Sequence, residues 1–470
     1  VGYASVKPVA RECGIISEPV VALMIMGRKR PGFDPEWGAE IQAAVVEAVE
    51  KLPWQVVIPS LNIADDAELV RAVSEARSAG VTAMVLVQPT ISDGRLAPLL
   101  ARLWDKPPIL WATPEKPDGS MISANSLVGT HVMAANLRQL GRQLELVYGH
   151  PADEPTRTRL EQAIRVVHAA DSIRNRKFGL IGNHAPGFVD FHADPVFLSA
   201  SLGSQLYQMS TVELVGKVEG FSDGELSEDY AELLRLGLSP GENFPVTDTE
   251  VKNALMMQAR YYRAFRSLFA EERFDALAFR CWPDLPNLTG HWPYLALAKA
   301  VSEGFPIAME GDVDGAICSR IAESAGMGPV YLSDWLEHDR STITIWHTGA
   351  APFQMADRPE EPAGPRLGVQ FNNHLPTVVE STIRAGRMLT VFRIWRFDGK
   401  YHMTALEGES IVPRRHLKAT NGLFRTDRVD VTVWFEEMVQ QGMPHHLCVI
   451  SGHHQESLRR IARLSGMVWL

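Results

Sequence analysis

The feature that most constrains this chain is an alternation in its N-terminal part. Short apolar runs, PVVALMIMG (19–27), WQVVIPS (54–60), VTAMVLVQP (81–89) and PPILWATP (107–114), are separated by segments with helical spacing such as PEWGAEIQAAVVEAVEKL and DDAELVRAVSEARSAG. A strand that is apolar throughout must be covered on both faces, and a helix that returns the chain between successive strands makes them parallel. With helical stretches from Ser126 into the 140s and from Pro155 to Ala170, the pattern predicts a Rossmann-like, doubly wound α/β domain over residues 1–174. A second series predicts another such domain over 175–350. Its strands are KFGLIG (177–182), TVELVG (211–216), DALAFRCW (275–282) and PIAMEGD (306–312), and its helices are VKNALMMQARYYRAFRSLFAEE and YLALAKAVSE. The linker-like APFQMADRPEEPAGPRLG then leads into RMLTVFRIWRFDGKYHMTAL, in which Asp398-Gly399 between two alternating runs reads as a tight hairpin. Residues 351–470 should therefore form a mostly antiparallel, barrel-like β domain that closes with a helix near ESLRRIARLSG.

Composition narrows the partners. The 470 residues carry 46 Lys+Arg against 56 Asp+Glu, a net charge of -10 that argues against a nucleic acid or an anionic membrane as the main partner. No apolar run is long enough to span a bilayer, and the first residues show no basic-then-apolar leader pattern. Cys13, Cys281, Cys318 and Cys448 are scattered without a C-x-x-C, which suggests neither a disulfide framework nor a zinc ribbon and fits a reducing, cytoplasmic setting.

In open α/β sheets ligands bind beyond the carboxyl ends of the strands. Glu310 ends the run FPIAM, Asp312 and Asp314 open an apparent helix, and Asp334 ends the run PVYLS. On neighbouring parallel strands Glu310 and Asp334 would lie a few ångströms apart, either to bind a hard divalent cation or to work as acid and base. Asp312 and Asp314 read equally well as helix N-caps, whereas glutamate is a poor cap. His347, at the end of STITIW, and His445 and His446, in GMPHH, would add imidazole nitrogens to make a mixed site suited to Mn²⁺, Co²⁺ or Fe²⁺. A second pair, His453 and His454, lies beyond LCVISG, roughly 20 Å along an extended strand, too far to share the same ion unless the chain folds back. Arg28, Lys29 and Arg30 follow the first apolar run. Such a cluster is either a solvated turn or a grip for an anion, since arginine holds carboxylate, phosphate or sulfonate oxygens with a fork of hydrogen bonds.

These segments carry a resemblance. MEGDVDGAICSRI is similar to the E-x-D-x-x-G-A segment of the L-fucose isomerase family, SDWLEHDRSTITIWHTGAAP resembles its D-W-N-N and F-H-C-G-N segments, and QGMPHHLCVISGHH resembles its G-x-P-H-H strand. The stretch from FDALAFRCWPDLPN to PIAMEGD is also similar to L-arabinose isomerases. The likeness covers roughly residues 270–470; before that it is one of architecture. It implies an aldose–ketose isomerase acting on an open-chain sugar through a metal-bound cis-enediolate, with Glu310 and Asp334 as the proton-shuttling pair. Glu310, Asp334 and His446 would hold Mn²⁺ or another divalent ion such as Co²⁺ or Mg²⁺. His445, His347 and Trp282 would contact the sugar, although in the arabinose branch the position of His347 coordinates the metal. The resemblance further implies a homo-oligomer, a hexamer or trimer, with sites shared between subunits. The chain departs from the family in having DWLE for D-W-N-N and HTGA for H-C-G-N, which leaves the sugar open. Arg28, Lys29 and Arg30 favour an anionic, sulfonated or acidic sugar. The alternatives are a neutral deoxy-hexose or pentose such as L-fucose or D-arabinose, an epimerase or lyase using the same intermediate, and a non-catalytic sugar-binding protein.

Overall fold

A computed structural model of the protein describes residues 9–29, 33–92, 94–245 and 247–470. It divides into two compact units, one formed by Glu18–Asp171 with Arg463–Ser465 and the other by the N-terminal segment through Ser17, Ser172–Ala462 and Gly466–Leu470. None of the described helices is long and apolar enough to cross a membrane.

The first unit is a parallel sheet of β1 (Val20–Met26), β2 (Gln55–Ile63), β3 (Ala83–Val87), β4 (Ile109–Ala112) and β5 (Glu145–Tyr148), in the order β2-β1-β3-β4-β5. β3 is buried along its whole length and β1 in all but its first residue, as strands covered by helices on both faces must be. Leu69, Ala72, Val73 and Ala76, on one stripe of the helix Asp66–Ser78, join Met24, Met84 and Leu110 in the core. The expected strands and helices appear, and the short edge strand β5 was not anticipated.

The second unit joins a parallel sheet to a barrel. β6 (Lys177–Ile181), β7 (Gln205–Met209), β9 (Ala276–Phe279) and β10 (Ile307–Ala308) form the parallel sheet in the order β10-β9-β6-β7, while β8 (Ser239–Pro240) pairs elsewhere. TVELVG, read from the sequence as a strand, is instead the start of the helix Thr211–Gly220. Ser210 and Glu213 cap it reciprocally, each side chain bonding the other's backbone amide, so the local hydrogen bonding favours helix over strand.

A second correction concerns Asp334. It does not end a parallel strand beside Glu310. β11 (Tyr331–His338) is antiparallel to β12 (Thr342–His347) and to β18 (His446–Ser451). Its outer half is partly solvated, a pattern that suits an antiparallel stave better than a strand buried on both faces. The β11–β12 turn is held by Asp339, which accepts hydrogen bonds from the Ser341 and Thr342 amides. The barrel runs β16-β15-β18-β11-β12-β17, with β15 (Met388–Phe397), β16 (Lys400–Ile411) and β17 (Thr420–Arg425), and a further antiparallel pairing of β16 with β17 closes it. β13 (Arg366–Val369), β14 (Pro376–Thr382) and β19 (Val468–Trp469) extend the sheet outside the ring. The β15–β16 hairpin turns at Asp398 (φ 48°) and Gly399 (φ 69°), the double left-handed turn that an Asp-Gly pair favours.

Candidate metal and sugar site

Glu310 is set by a sharp turn. Past β10 the backbone takes φ 60° at Glu310 and φ 77° at Gly311 before entering the helix Val313–Ser324. A left-handed glutamate is strained and persists only where its surroundings fix it. Here the Ala185 amide donates to the Glu310 carbonyl at 2.8 Å and the Gly311 amide to the Phe279 carbonyl at 3.0 Å. Gly311 has no room for a side chain, since a Cβ there would lie 2.2 Å from the Asn183 carbonyl oxygen.

The barrel supplies the rest. Asp334 pairs across the strands with His446 on β18 and with Trp346, the neighbour of His347, on β12. The Nε2 atom of His446 lies 3.4 Å from Glu310 Oε2 and 3.5 Å from Asp334 Oδ1. His347 Nε2 stands 3.1 Å from His446 Nε2, 4.0 Å from the Glu310 carboxylate and 3.9 Å from that of Asp334. Glu310, Asp334 and His347 thus each come within 3.5 Å of the His446 Nε2 atom.

Behind them lies a buried ion pair. Asp312 caps the helix Val313–Ser324 by accepting from the Gly315 amide at 2.8 Å, and both of its oxygens accept from the Arg393 guanidinium at 2.7 Å. Its Oδ2 also lies 2.9 Å from His446 Nδ1. The capping reading of Asp312 is borne out, and its side chain also touches the His446 imidazole. Asp314 faces away from this cluster, to Arg396 and Tyr401 at 3.2 Å each.

The charges respond to these contacts. Burial pushes the Asp312 carboxyl up, but the Arg393 charge and the hydrogen bonds from His446 and Arg393 outweigh it and hold the group well below the usual carboxylate range. Burial likewise opposes ionisation of Glu310, yet the His446 hydrogen bond and the nearby imidazoles bring it below its ordinary value. His446 is raised to about 10, its hydrogen bonds to Asp312 and Glu310 overcoming the penalty of burial. His347 is lowered, chiefly by burial.

A loop after β6, residues 182–192, forms one wall. Asp190 Oδ2 lies 2.7 Å from His445 Nδ1, and His445 Nε2 is 3.9 Å from Asp334 Oδ1. The Phe191 ring packs on His446 and His445 with centroids 4.2 and 4.7 Å apart, and Phe188 lies between His445 (4.9 Å) and the partly exposed Trp282 (6.3 Å). Phe188, Asp190, Phe191 and Arg393 were not singled out from the sequence. The loop reads only as polar and turn-rich, but an arginine inside the apolar run VFRIW was a signal that it meets a buried acid.

The remaining expected residues make other contacts. His453 Nε2 donates to the Gly408 carbonyl, and the His454 amide donates to Thr390 Oγ1, just before the helix Gln455–Ser465. Arg28 and Lys29 belong to the first unit, where Lys29 pairs with Asp65 at 3.0 Å, and Arg30 lies outside the described residues.

The donor set fits a divalent ion. Ligand atoms around a first-row metal sit ~3 Å from one another at bond lengths near 2.1 Å. His446 Nε2 lies 3.4 and 3.5 Å from oxygens of Glu310 and Asp334, and the described residues form two clusters able to hold an ion, Glu310 with His347 and His446 and Asp334 with His445 and His446; mixed carboxylate and imidazole donors suit Mn²⁺ or Co²⁺.

The sequence was compared with known proteins. No family model matches. The chain is 27% identical over 397 residues to a protein named sulfoquinovose isomerase from Alkalicoccus urumqiensis, covering 81% of this chain and 84% of the relative. It is 23% identical over 436 residues to one of the same name from Priestia aryabhattai, covering 90% and 94%. Among solved structures, an ABC-transporter solute-binding protein from Burkholderia multivorans aligns with 66% of this chain and 93% of its own, at 12% identity and a TM-score of 0.19, too low to carry an argument.

Proposed function

We propose that the protein is a divalent-metal-dependent aldose–ketose isomerase whose substrate is an open-chain sulfonated sugar. That it is an aldose–ketose isomerase rests on relatives of that activity aligned along most of its length. The metal and the residue roles rest on one observation, that carboxylate oxygens of Glu310 and Asp334 each lie within 3.5 Å of His446 Nε2. The sulfonate rests on the names of the relatives and on a local excess of cations at Arg28, Lys29 and Arg30.

The chemistry moves one hydrogen between C2 and C1 and one proton between the two oxygens. The first obstacle is the weak acidity of carbon next to a carbonyl. Glu310, Asp334 and His446 would hold a divalent ion, which would supply Lewis-acid stabilisation of the charge that develops on the sugar oxygens. In this reading Glu310, favoured as an anion by its imidazole neighbours, and Asp334, on another element of the fold, would take a proton from one carbon and return one to the other. Phe188, Phe191 and Trp282 would line that side of the sugar, and His445, tethered by Asp190, would offer its other ring nitrogen to a hydroxyl.

The test begins with chelated, inactive protein. Reloading with Mn²⁺ should restore interconversion of a sulfonated aldose with its ketose, and in D₂O NMR should find solvent deuterium at C1 or C2. Faster turnover of L-fucose or D-arabinose would transfer the assignment to a neutral sugar, and inversion at C2 without a ketose product would make the protein an epimerase.

A further inference from the structure

The second unit holds a cavity at the end of its parallel sheet away from the carboxylates and imidazoles described above. Its volume is about 530 Å³, and it is walled by Arg263 and Arg266 on the helix Asp248–Glu272, by Arg273 just past that helix, by the buried rings of Phe274 and Phe305, and by Cys13. Phe274 leads into β9 and Phe305 precedes β10, so the cavity lies at the amino ends of two parallel strands whose carboxyl ends lead to Trp282 and Glu310. β9 alone is roughly 13 Å long at about 3.3 Å per residue, which keeps a sugar-sized molecule in the cavity out of reach of the reacting atoms. The charges around it do not balance. Arg263 Nε donates to Asp229 at 2.7 Å, whereas Arg266 Nη1 stays 3.7 Å from the other oxygen of Asp229 and its guanidinium lies over the Tyr262 ring. Among the described residues, neither Arg266 nor Arg273 makes a guanidinium hydrogen bond. Asp275, the one acid among the described lining residues, is already matched by Arg320 at 3.3 Å and Arg176 at 4.0 Å, and Glu271 and Glu272 are matched by Lys217 and Lys177. Five guanidiniums thus gather around Asp229 and Asp275 in a chain whose net charge is -10.

We infer that this cavity is a second ligand site, which takes a small organic phosphate or sulfonate and acts as an effector site for the isomerase. The guanidiniums of Arg266 and Arg273 hold the oxyanion with forked hydrogen bonds, and Phe274 and Phe305 pack on the organic part. The helix Asp248–Glu272 ends here with its carbonyls, but that end carries roughly half an elementary negative charge, far less than the excess of cations. If the arginines served only Asp229, Arg273 would have no part in the arrangement. A ligand in the cavity acts on the chemistry through the two strands alone: Phe305 precedes Glu310 by five residues on one, and Phe274 precedes Trp282 by eight on the other.

Phenyl phosphate and benzenesulfonate carry both features the cavity recognises, inorganic phosphate only the charge and benzyl alcohol only the ring. Calorimetry on the whole protein should find a site for phenyl phosphate or benzenesulfonate, the tighter of the two naming the anion, with weaker binding of inorganic phosphate and none of benzyl alcohol. Arg273→Gly, at a φ of 54° that suits glycine, and Arg266→Gln should each weaken that binding by about 10–100-fold. Arg340→Gln, on the exposed β11–β12 turn, should leave it unchanged. Cys13 is exposed and the other three cysteines are buried, so alkylation by iodoacetamide reports on the cavity without any variant, and the bound anion should slow it. The same anion should shift KM or kcat for the sugar in the parent protein and not in Arg273→Gly. Absence of binding would overturn the site, as would binding that leaves Cys13 alkylation unslowed and both arginine variants at parental affinity. Binding in the cavity that moves neither KM nor kcat would overturn the effector role. The calorimetry and alkylation hold whichever sugar the protein isomerises and whichever metal it uses, so failure of the reading proposed above would leave them standing.

Discussion

Glu310 combines a strained backbone, burial and a lowered carboxyl, three features that rarely coincide unless a group has work to do at that point. If it carries a proton, Glu310→Gln should lower kcat by about 10²–10⁴, read from initial rates on whichever sugar the parent isomerises; a loss of less than tenfold would remove it from that role. Glu323 makes a different residue-scale prediction. It is buried, one carboxylate oxygen has no hydrogen-bond partner, and desolvation, only partly offset by Arg11, raises the group to about 7. The folded state then holds a proton that the unfolded state releases near 4.5, so stability falls as pH rises from about 4.5 to 7 and stays lower above that. Glu323→Gln should remove that decline and gain on the order of 2–3 kcal/mol at pH 8, measured as the difference between variant and parent in urea unfolding across pH; a gain that does not depend on pH would refute the assignment. The sequence made Glu310, Asp334 and His446 legible because their residue types are scarce at the ends of apolar runs. Asp190 and Arg393 act through partners more than fifty residues away, and neither their spacing nor their immediate neighbours mark those partners.

At the scale of elements, the site depends on how tightly the β10 turn packs on the loop after β6. Gly311→Ala would put a Cβ 2.2 Å from one backbone atom and 2.6 Å from another, at a left-handed φ of 77°. The loop must move, carrying Asp190 away from His445 and Phe191 away from His446. The expected cost is more than about 1 kcal/mol from the backbone conformation alone, with faster proteolysis within 182–192 and a raised KM. A folded variant with unchanged kinetics would show that the loop does not form a wall of the site. Elements whose cues are local were legible, such as the β1 and β3 runs and the Asp398-Gly399 hairpin. TVELVG misled because its apolar alternation competes with a capping box, and the box prevails through two hydrogen bonds formed within four residues. Asp334 was placed on the wrong kind of strand because the run was read as one more parallel strand, whereas β11 turns back at Asp339 to pair antiparallel with the adjacent β12 and, on its other edge, with β18 more than a hundred residues on.

For the whole molecule, the division into two units has a thermodynamic signature. Every residue assigned to the metal cluster belongs to the unit that contains the barrel. Units that unfold separately give separate transitions in calorimetry, and a ligand stabilises only the unit that binds it. Mn²⁺ at a hundred times its dissociation constant should add about 2.7 kcal/mol to the unit that holds the cluster and leave the Glu18–Asp171 unit unmoved. Equal shifts of both transitions would mean that the ion binds elsewhere or that the units unfold as one. The sequence indicated a barrel-like C-terminal part through its alternating runs. It did not reveal that the ring closes through β16 and β17, because closure joins strands already paired to other neighbours.

That closure also bears on how the protein is made. β18 is inserted between β15 and β11 although it is the last stave of the ring in the chain, and it brings His446 with it. During synthesis from the N-terminus, Glu310 and Asp334 leave the ribosome long before the imidazole they meet, and the ring keeps an open gap until then. A nascent chain stalled anywhere before β18 therefore presents two unpaired strand edges and an incomplete cluster. Such exposed edges invite pairing with other chains, so the final strand is both the last part of the site to arrive and the one that ends the hazard.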